Sequence, residues 1–425
     1  MRWSVDRAGA QVLEDGAFVA ERPGSYLVTA LAGNIAATRA ITVEARVNPR
    51  RLELVTNDVY SEIEAAEHWA INDVLYVSTI SDRVYTYDIR DPMSPVLVDS
   101  IQVDAGVIND VSTTRDGRIG VITREGARSR RNGIVFLDLS NPLHPTVLSE
   151  YTTTVTGGVH SAFVDEPYVY LTDDATGSLR VIDFSDVRNP HEIARWQPEG
   201  VRGVEGIRMG DEPFGLSIGR MLHDVRVDDG IAYLSYWRHG LIMLDVGNGI
   251  AGGSPANPQE ITRFTYNVAQ YYPADHIAGT HTAWRDGDYL FIGDEVFPPL
   301  FGEPGVPINA LGHLHVVDVS DIRNPVKVAE YRVPVGGVHN FWVQDGVLYL
   351  GAYNGGIRAV DVSGELRGRL DLQGRELGVV MTGHPEGVIP NVSMVWGAQP
   401  HNGVIYATDM NSGLWVARLS PAPIP

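Results

Sequence analysis

The stretch Leu179-Arg180-Val181-Ile182-Asp183-Phe184-Ser185-Asp186-Val187-Arg188-Asn189-Pro190 reads as an apolar strand, an Asp at its end, a polar turn, and Asn-Pro opening a second strand. The same pattern runs through Leu314–Pro325. It recurs as Val84–Asp88, Ile134–Asp138 and Leu241–Asp245, each followed by a Pro-bearing turn, and in weaker form at Ile357–Asp361 and Leu414–Ala417. A polar-Gly turn and an aromatic-bearing strand stand ahead of several copies, as in Asp229-Gly230-Ile231-Ala232-Tyr233 and Asn402-Gly403-Val404-Ile405-Tyr406. Each period therefore predicts four short strands, A to D, with the Asp after strand C accepting from the backbone N–H groups of its turn.

Such units cannot bury both faces alone, so a long series of them predicts propeller blades. Seven A–B–C sets can be counted. The last lacks a strand D of its own, and Arg51-Leu52-Glu53-Leu54-Val55, ahead of the first set, is placed to supply it and remove an exposed edge. The expected fold is all-β, a seven-bladed β-propeller over residues 49–425. Residues 1–48 form a separate small β module.

Composition agrees with this class. The chain has 425 residues with 45 Gly and 25 Pro spread along it, which suits many turns. Its 33 Lys+Arg against 53 Asp+Glu give a net charge of -20, which repels nucleic-acid phosphates, so no nucleic-acid partner is expected. The basic cluster Arg124, Arg128, Arg130, Arg131 reads as a solvated loop. The absence of Cys removes thiolate ligands, disulfides and a Cys nucleophile. No apolar run approaches the length of a transmembrane segment.

The repeated signature resembles the LVIVD repeat of bacterial and archaeal surface proteins. Thr280-His281-Thr282-Ala283-Trp284 with Gly293-Asp294-Glu295 is similar to a segment of the choice-of-anchor-B surface proteins. Trp3–Asp6, Asp15-Gly16, Arg22-Pro23-Gly24 and Ile41-Thr42-Val43 resemble the second half of a bacterial immunoglobulin-like domain. These resemblances imply a secreted, periplasmic or cell-surface protein. They leave its activity open.

Aligning the repeats on strand B places His160, His223, His281 and His339 ten residues ahead of Tyr170, Tyr233, Phe291 and Tyr349. All four then start strand A, the innermost strand, in four successive units. Asn109, Ala66 and Trp396 take that position elsewhere, so the repeat itself does not require histidine. Four imidazoles at one channel mouth are candidate ligands of a single transition metal ion, such as iron, copper, manganese or zinc. Glu295, Asp294 and Asp224 are the candidate catalytic or supporting carboxylates, and Asp174 occupies the place of Glu295 in the third unit. His144, His191, His239, His315 and His401 read as surface or turn residues.

The sequence is compatible with two functions. One is a metal- or ligand-binding propeller, with a small-molecule, glycan or protein ligand held by the long loops 199–219, 268–280, 296–312 and 381–392; as an enzyme it would be metal-dependent. The other is a non-enzymatic scaffold with structural histidines and an exposed aromatic patch including Trp237, Phe297, Phe301 and Trp396.

Overall fold

The computed structural model describes residues 1–199, 222–299 and 309–421. The expected loop 199–219 and Phe301 lie almost entirely or wholly outside them. Among the described residues the structure is strands and turns, with two short 3-10 turns at Val268–Gln270 and Leu370–Gln373. No described helix is long and apolar enough to cross a membrane.

Among the described residues from 52 onward, the strands assemble into seven antiparallel sheets of four strands, each a meander in the order A, B, C, D. In the third sheet these are Ala162–Asp165, Tyr168–Asp173, Ser178–Asp183 and His191–Trp196. The fifth sheet gains a short parallel strand, Gly368–Arg369, at its outer edge. The turn chemistry follows the expectation. Asp88, Asp138, Asp183, Asp245, Asp318 and Asp361 each accept a backbone N–H from the residue two positions on. Asp245 takes four such bonds, which hold its carboxyl far below the usual range despite the opposing effect of burial.

Every sheet carries the same irregularity. One residue of strand D bulges where it pairs with strand C: Val98, Leu148, Ile193, Ile261, Val328, Leu377 and Val55. A bulge adds local twist and breaks a flat edge, as the outermost strand of a sheet requires. Val55 belongs to Leu52–Val59, which pairs antiparallel with Gly413–Leu419 and completes the last sheet. The strand foreseen at 51–55 is thus real, longer than expected, and has the same bulge as the other D strands. Truncation through residue 59 should lower the thermal midpoint and promote aggregation, whereas truncation through residue 44 should leave most of the stability. Equal midpoints for the two truncated chains would contradict this role.

Strands A lie side by side. Gln399 of the seventh sheet exchanges hydrogen bonds with the backbone of Ala70 in the first, and His68 Nδ1 meets Thr408 Oγ1 at 3.1 Å. Sheet-to-sheet packing is apolar, and the clusters between neighbours are fully buried; one joins Tyr170, Val181, Val225, Leu234 and Leu244. Burying side chains of this size stabilises the chain by about 1.5–3 kcal/mol each before entropy is counted.

Residues 1–48 differ. Arg2–Val5, Gly24–Ala32 and Ile35–Val43 make a three-stranded sheet, and Ala10–Val12 with Phe18–Ala20 make a hairpin. Tyr26 is their main buried side chain, donating to the carbonyl of Arg22 at 2.7 Å.

Two sequence expectations need correction. Arg124 is no solvated loop residue: it lies on strand B of the second sheet, 2% exposed, 3.1 Å from Glu150. His315 is fully buried on strand C of the fifth sheet, because both faces of an inner blade strand are covered by neighbouring sheets.

Candidate metal centre

The four histidines converge. Ring centroids of His160 and His223 lie 4.4 Å apart, those of His223 and His281 4.4 Å, and those of His281 and His339 4.2 Å. They form one arc across four neighbouring sheets rather than four separate seams, and Trp396 extends it, 4.4 Å from His339. Their common depth has a local cause. The pairing of strands A and B slips at the start of strand A, so that His281 and Trp396 are bulge residues turned out of the ladder. His160 lies just ahead of its ladder, its backbone N–H donating to Thr172 Oγ1.

Glu295 stands over the arc. Its Oε2 is 3.8 Å from His223 Nε2 and its Oε1 is 3.8 Å from His339 Nε2. Ligand atoms of His223, His281 and Glu295 all lie within 4.8 Å of one another, the one such group of three or more among the described residues. The Tyr353 hydroxyl donates to Glu295 Oε1. Burial raises Glu295 to about 7, although the Tyr353 bond and the His160 charge pull the other way.

The imidazoles fall into two electrostatic kinds. Burial, and then the neighbouring imidazoles, hold His223 and His281 well below the usual range, so they are neutral with free lone pairs. Burial likewise lowers His339 to about 3, and its Nδ1–H donates to the Trp396 carbonyl at 2.6 Å. That bond turns Nε2 toward Glu295. His160 is the exception. Burial disfavours its charge, but Glu125, 3.0 Å from Nδ1, together with Asp174 and Asp110, outweighs that and raises it to about 10.

Several polar atoms here are buried without a hydrogen-bond partner: Nδ1 of His223, Nδ1 of His281 and both carboxylate oxygens of Asp174. Each such atom costs about 1–3 kcal/mol unless something binds it. The unpaired His223 and His281 nitrogens on the arc are therefore open to a ligand.

The structure divides the remaining candidates. Asp294 and Glu295 are adjacent on strand B, and alternation sends them to opposite faces. Only Glu295 meets the histidines. Asp294 accepts from the hydroxyls of Tyr266 and Tyr272 and lies 2.7 Å from His315 Nε2, within the blade. Its side chain is thus turned away from the arc, against the expectation that it would face the four histidines together with Glu295. Asp224 lines the channel one residue deeper than His223, accepting from Ser161 Oγ at 2.6 Å. Asp174 does lie beside His160, where burial and Glu125 raise its carboxyl well above the usual range. Glu125, Tyr353 and the Trp396 carbonyl escaped sequence reasoning; Trp396 alone had a signal, its shared register with the histidines.

Two substitutions separate these roles. Glu295→Gln should weaken binding of a divalent transition metal by about 10- to 100-fold, the effect of losing a ligand or its close support. Asp294→Asn should leave that affinity within about 3-fold while lowering stability by about 1–3 kcal/mol through loss of a buried network acceptor. Isothermal titration and denaturant unfolding measure the two. The reverse pattern would exchange their assignments.

Comparison with known proteins bears on the fold. The LVIVD repeat family matches residues 129–153, which contain the copy Ile134–Asp138. No curated protein matches the chain. Among solved structures, the chain is similar to the Myceliophteria thermophila Cps50 (Swd1) beta-propeller domain, at 10% identity and a TM-score of 0.53, covering 87% of this chain and 100% of that one. It is similar to the Pseudomonas aeruginosa periplasmic gluconolactonase PpgL, at 13% identity and a TM-score of 0.52, covering 95% and 96%. BamB from Moraxella catarrhalis gives 11% and 0.50 over 88% and 99%. With the seven meanders already described, these likenesses make the chain an all-β propeller protein carrying an LVIVD repeat.

Proposed function

We propose that this is an exported, seven-bladed propeller whose channel mouth binds one transition-metal ion through His223, His281, His339 and Glu295, with His160 alongside. The observation that carries the reading is the approach of His223, His281 and Glu295 ligand atoms to within 4.8 Å of one another. Neutral imidazoles with one carboxylate favour iron, manganese, copper or zinc over calcium or magnesium, which prefer oxygen. Glu125 on His160 and the Trp396 carbonyl on His339 would then fix ring orientation, as outer carboxylates and carbonyls do around metal-bound histidines. Residues 1–48, an immunoglobulin-like segment in this reading, would be a spacer of the kind exported proteins carry. The periplasmic setting in the description of the Pseudomonas aeruginosa relative agrees with export.

The competing reading is a scaffold with structural histidines. The bonds already made by His160 and His339 favour it. Its expected aromatic patch is weaker: Trp237, Phe297 and Trp396 are all buried. Elemental analysis of untagged protein grown with ample metal decides between the two. About one ion per chain is expected of a closed four-donor site. A content near zero sinks the metal reading and leaves the scaffold.

A further inference from the structure

One residue deeper in the channel, the strands that carry Ala66, Asn109 and His223 present Glu67, Asp110 and Asp224. All three line one cavity of about 80 Å³, distinct from the histidine arc. Their present partners are few: Asn340 and the His68 N–H for Glu67, the Ala162 N–H for Asp110, and Ser161 with the Val225 N–H for Asp224. A carboxylate can accept about four hydrogen bonds, so acceptor capacity is left over in all three. Burial, followed by the mutual repulsion of the carboxylates, raises Glu67 to about 8 and Asp110 to about 7. Two cations act on the layer from its edges, His160 on Asp110 and Arg226 on Asp224, and they leave the three carboxylates in excess.

A second observation lies in the same wall. Ser112 is 5% exposed, lines this cavity, and its Oγ has no hydrogen-bond partner. Around it, Trp69, Phe163, Trp284 and Trp342 form an aromatic collar. That collar already takes a cation: the Arg226 guanidinium lies 3.4 Å over the Trp284 ring and 5.4 Å from the centre of Phe163. Beyond the collar the channel widens to about 730 Å³, sharing Trp69, Ser112, Phe163 and Arg226 with the inner cavity. Asp116, Asp165, Glu166, Asp228 and Asp229 line this outer chamber, against Arg115 and Arg226, so its field draws positive charge inward.

We propose that this end of the channel binds an alkylammonium group, with the –NH3+ held by Glu67, Asp110, Asp224 and the Ser112 hydroxyl, and the carbon stem passing through the aromatic collar. The narrow inner space fits an ammonium head, and the outer chamber accommodates whatever the stem belongs to. A bare metal ion fits less well, because the three carboxylates do not close to within 4.8 Å of one another as the histidine group does. The charge of Arg226 works against the ligand and tunes the affinity downward. This site stands whether or not the histidines hold a metal.

Calorimetric titration of the full chain with n-butylamine, Nα-acetyl-lysine amide and n-butanol tests it. The two amines should bind, and n-butanol should bind at least about 10-fold more weakly, since it lacks the charge the carboxylates recognise. Tighter binding of the lysine amide would assign the natural ligand to a protein side chain; tighter binding of n-butylamine would assign it to a free amine. Glu67→Gln and Asp110→Asn should each weaken the amine at least about 10-fold with the metal content unchanged. Arg226→Met should strengthen it, a gain that a misfolded variant would not show. Equal binding of n-butylamine and n-butanol, or calcium binding abolished by Asp110→Asn with no response to either amine, would overturn the proposal.

Discussion

Replacing His223 and His281 together by alanine is expected to reduce bound transition metal from about one ion per chain to background, with affinity down by at least about 100-fold. The two rings are neutral and face Glu295, so each removed ring deletes a donor rather than a charge. The same variant should lose the stabilisation that metal gives the wild type. Saturating metal at about 100 times its dissociation constant adds about 2.7 kcal/mol to a folded state that alone binds it. Thermal unfolding with and without a chelator should therefore show a shift for the wild type and none for the double variant. A chelator shift that persists in the variant would place the ion somewhere other than these two histidines.

Arg180→Met should be among the most damaging single substitutions in the chain, costing about 3–5 kcal/mol. Arg180 lies within the repeat signature itself, yet it is 0% exposed, bonded to Asp173 and 3.0 Å from Glu192. Removing it leaves Asp173, also 0% exposed, with a buried charge and only neutral donors: the Thr156 and Thr176 hydroxyls and two backbone N–H groups. Arg195→Met offers the contrast. That side chain is half exposed beside Glu192, and its loss should cost no more than about 1 kcal/mol. Adding Asp173→Asn to Arg180→Met should recover part of the loss, since it removes the stranded charge. Denaturant midpoints measure all three. Similar costs for Arg180→Met and Arg195→Met would mean that the buried pair contributes little to specifying the blade.

Arg180 also shows where reading by repeats stops. The alternation of Leu179, Val181 and Asp183 placed the strand and its turn correctly, and the six turn aspartates all do what their spacing implied. Nothing local tells that Arg180 is buried, because its covering comes from the neighbouring strands and the next sheet. The burial of His315 has the same cause. Its partner Asp294 is a diagonal neighbour on strand B, two residues from Ile292 with which His315 pairs, and the tyrosines that close the site come from the segment around Tyr266 and Tyr272.

The repeat period, the depth shared by the four histidines and the strand ahead of the first unit all follow from local order, since strand geometry converts residue spacing directly into height along the channel. Folding in three dimensions settled the rest: which of Asp294 and Glu295 faces the arc, that Glu125 and Tyr353 reach it, and that Glu67 and Asp110 join Asp224 beneath it. Those contacts join residues far apart in the chain across neighbouring sheets, and a one-residue bulge suffices to turn a side chain toward or away from the channel.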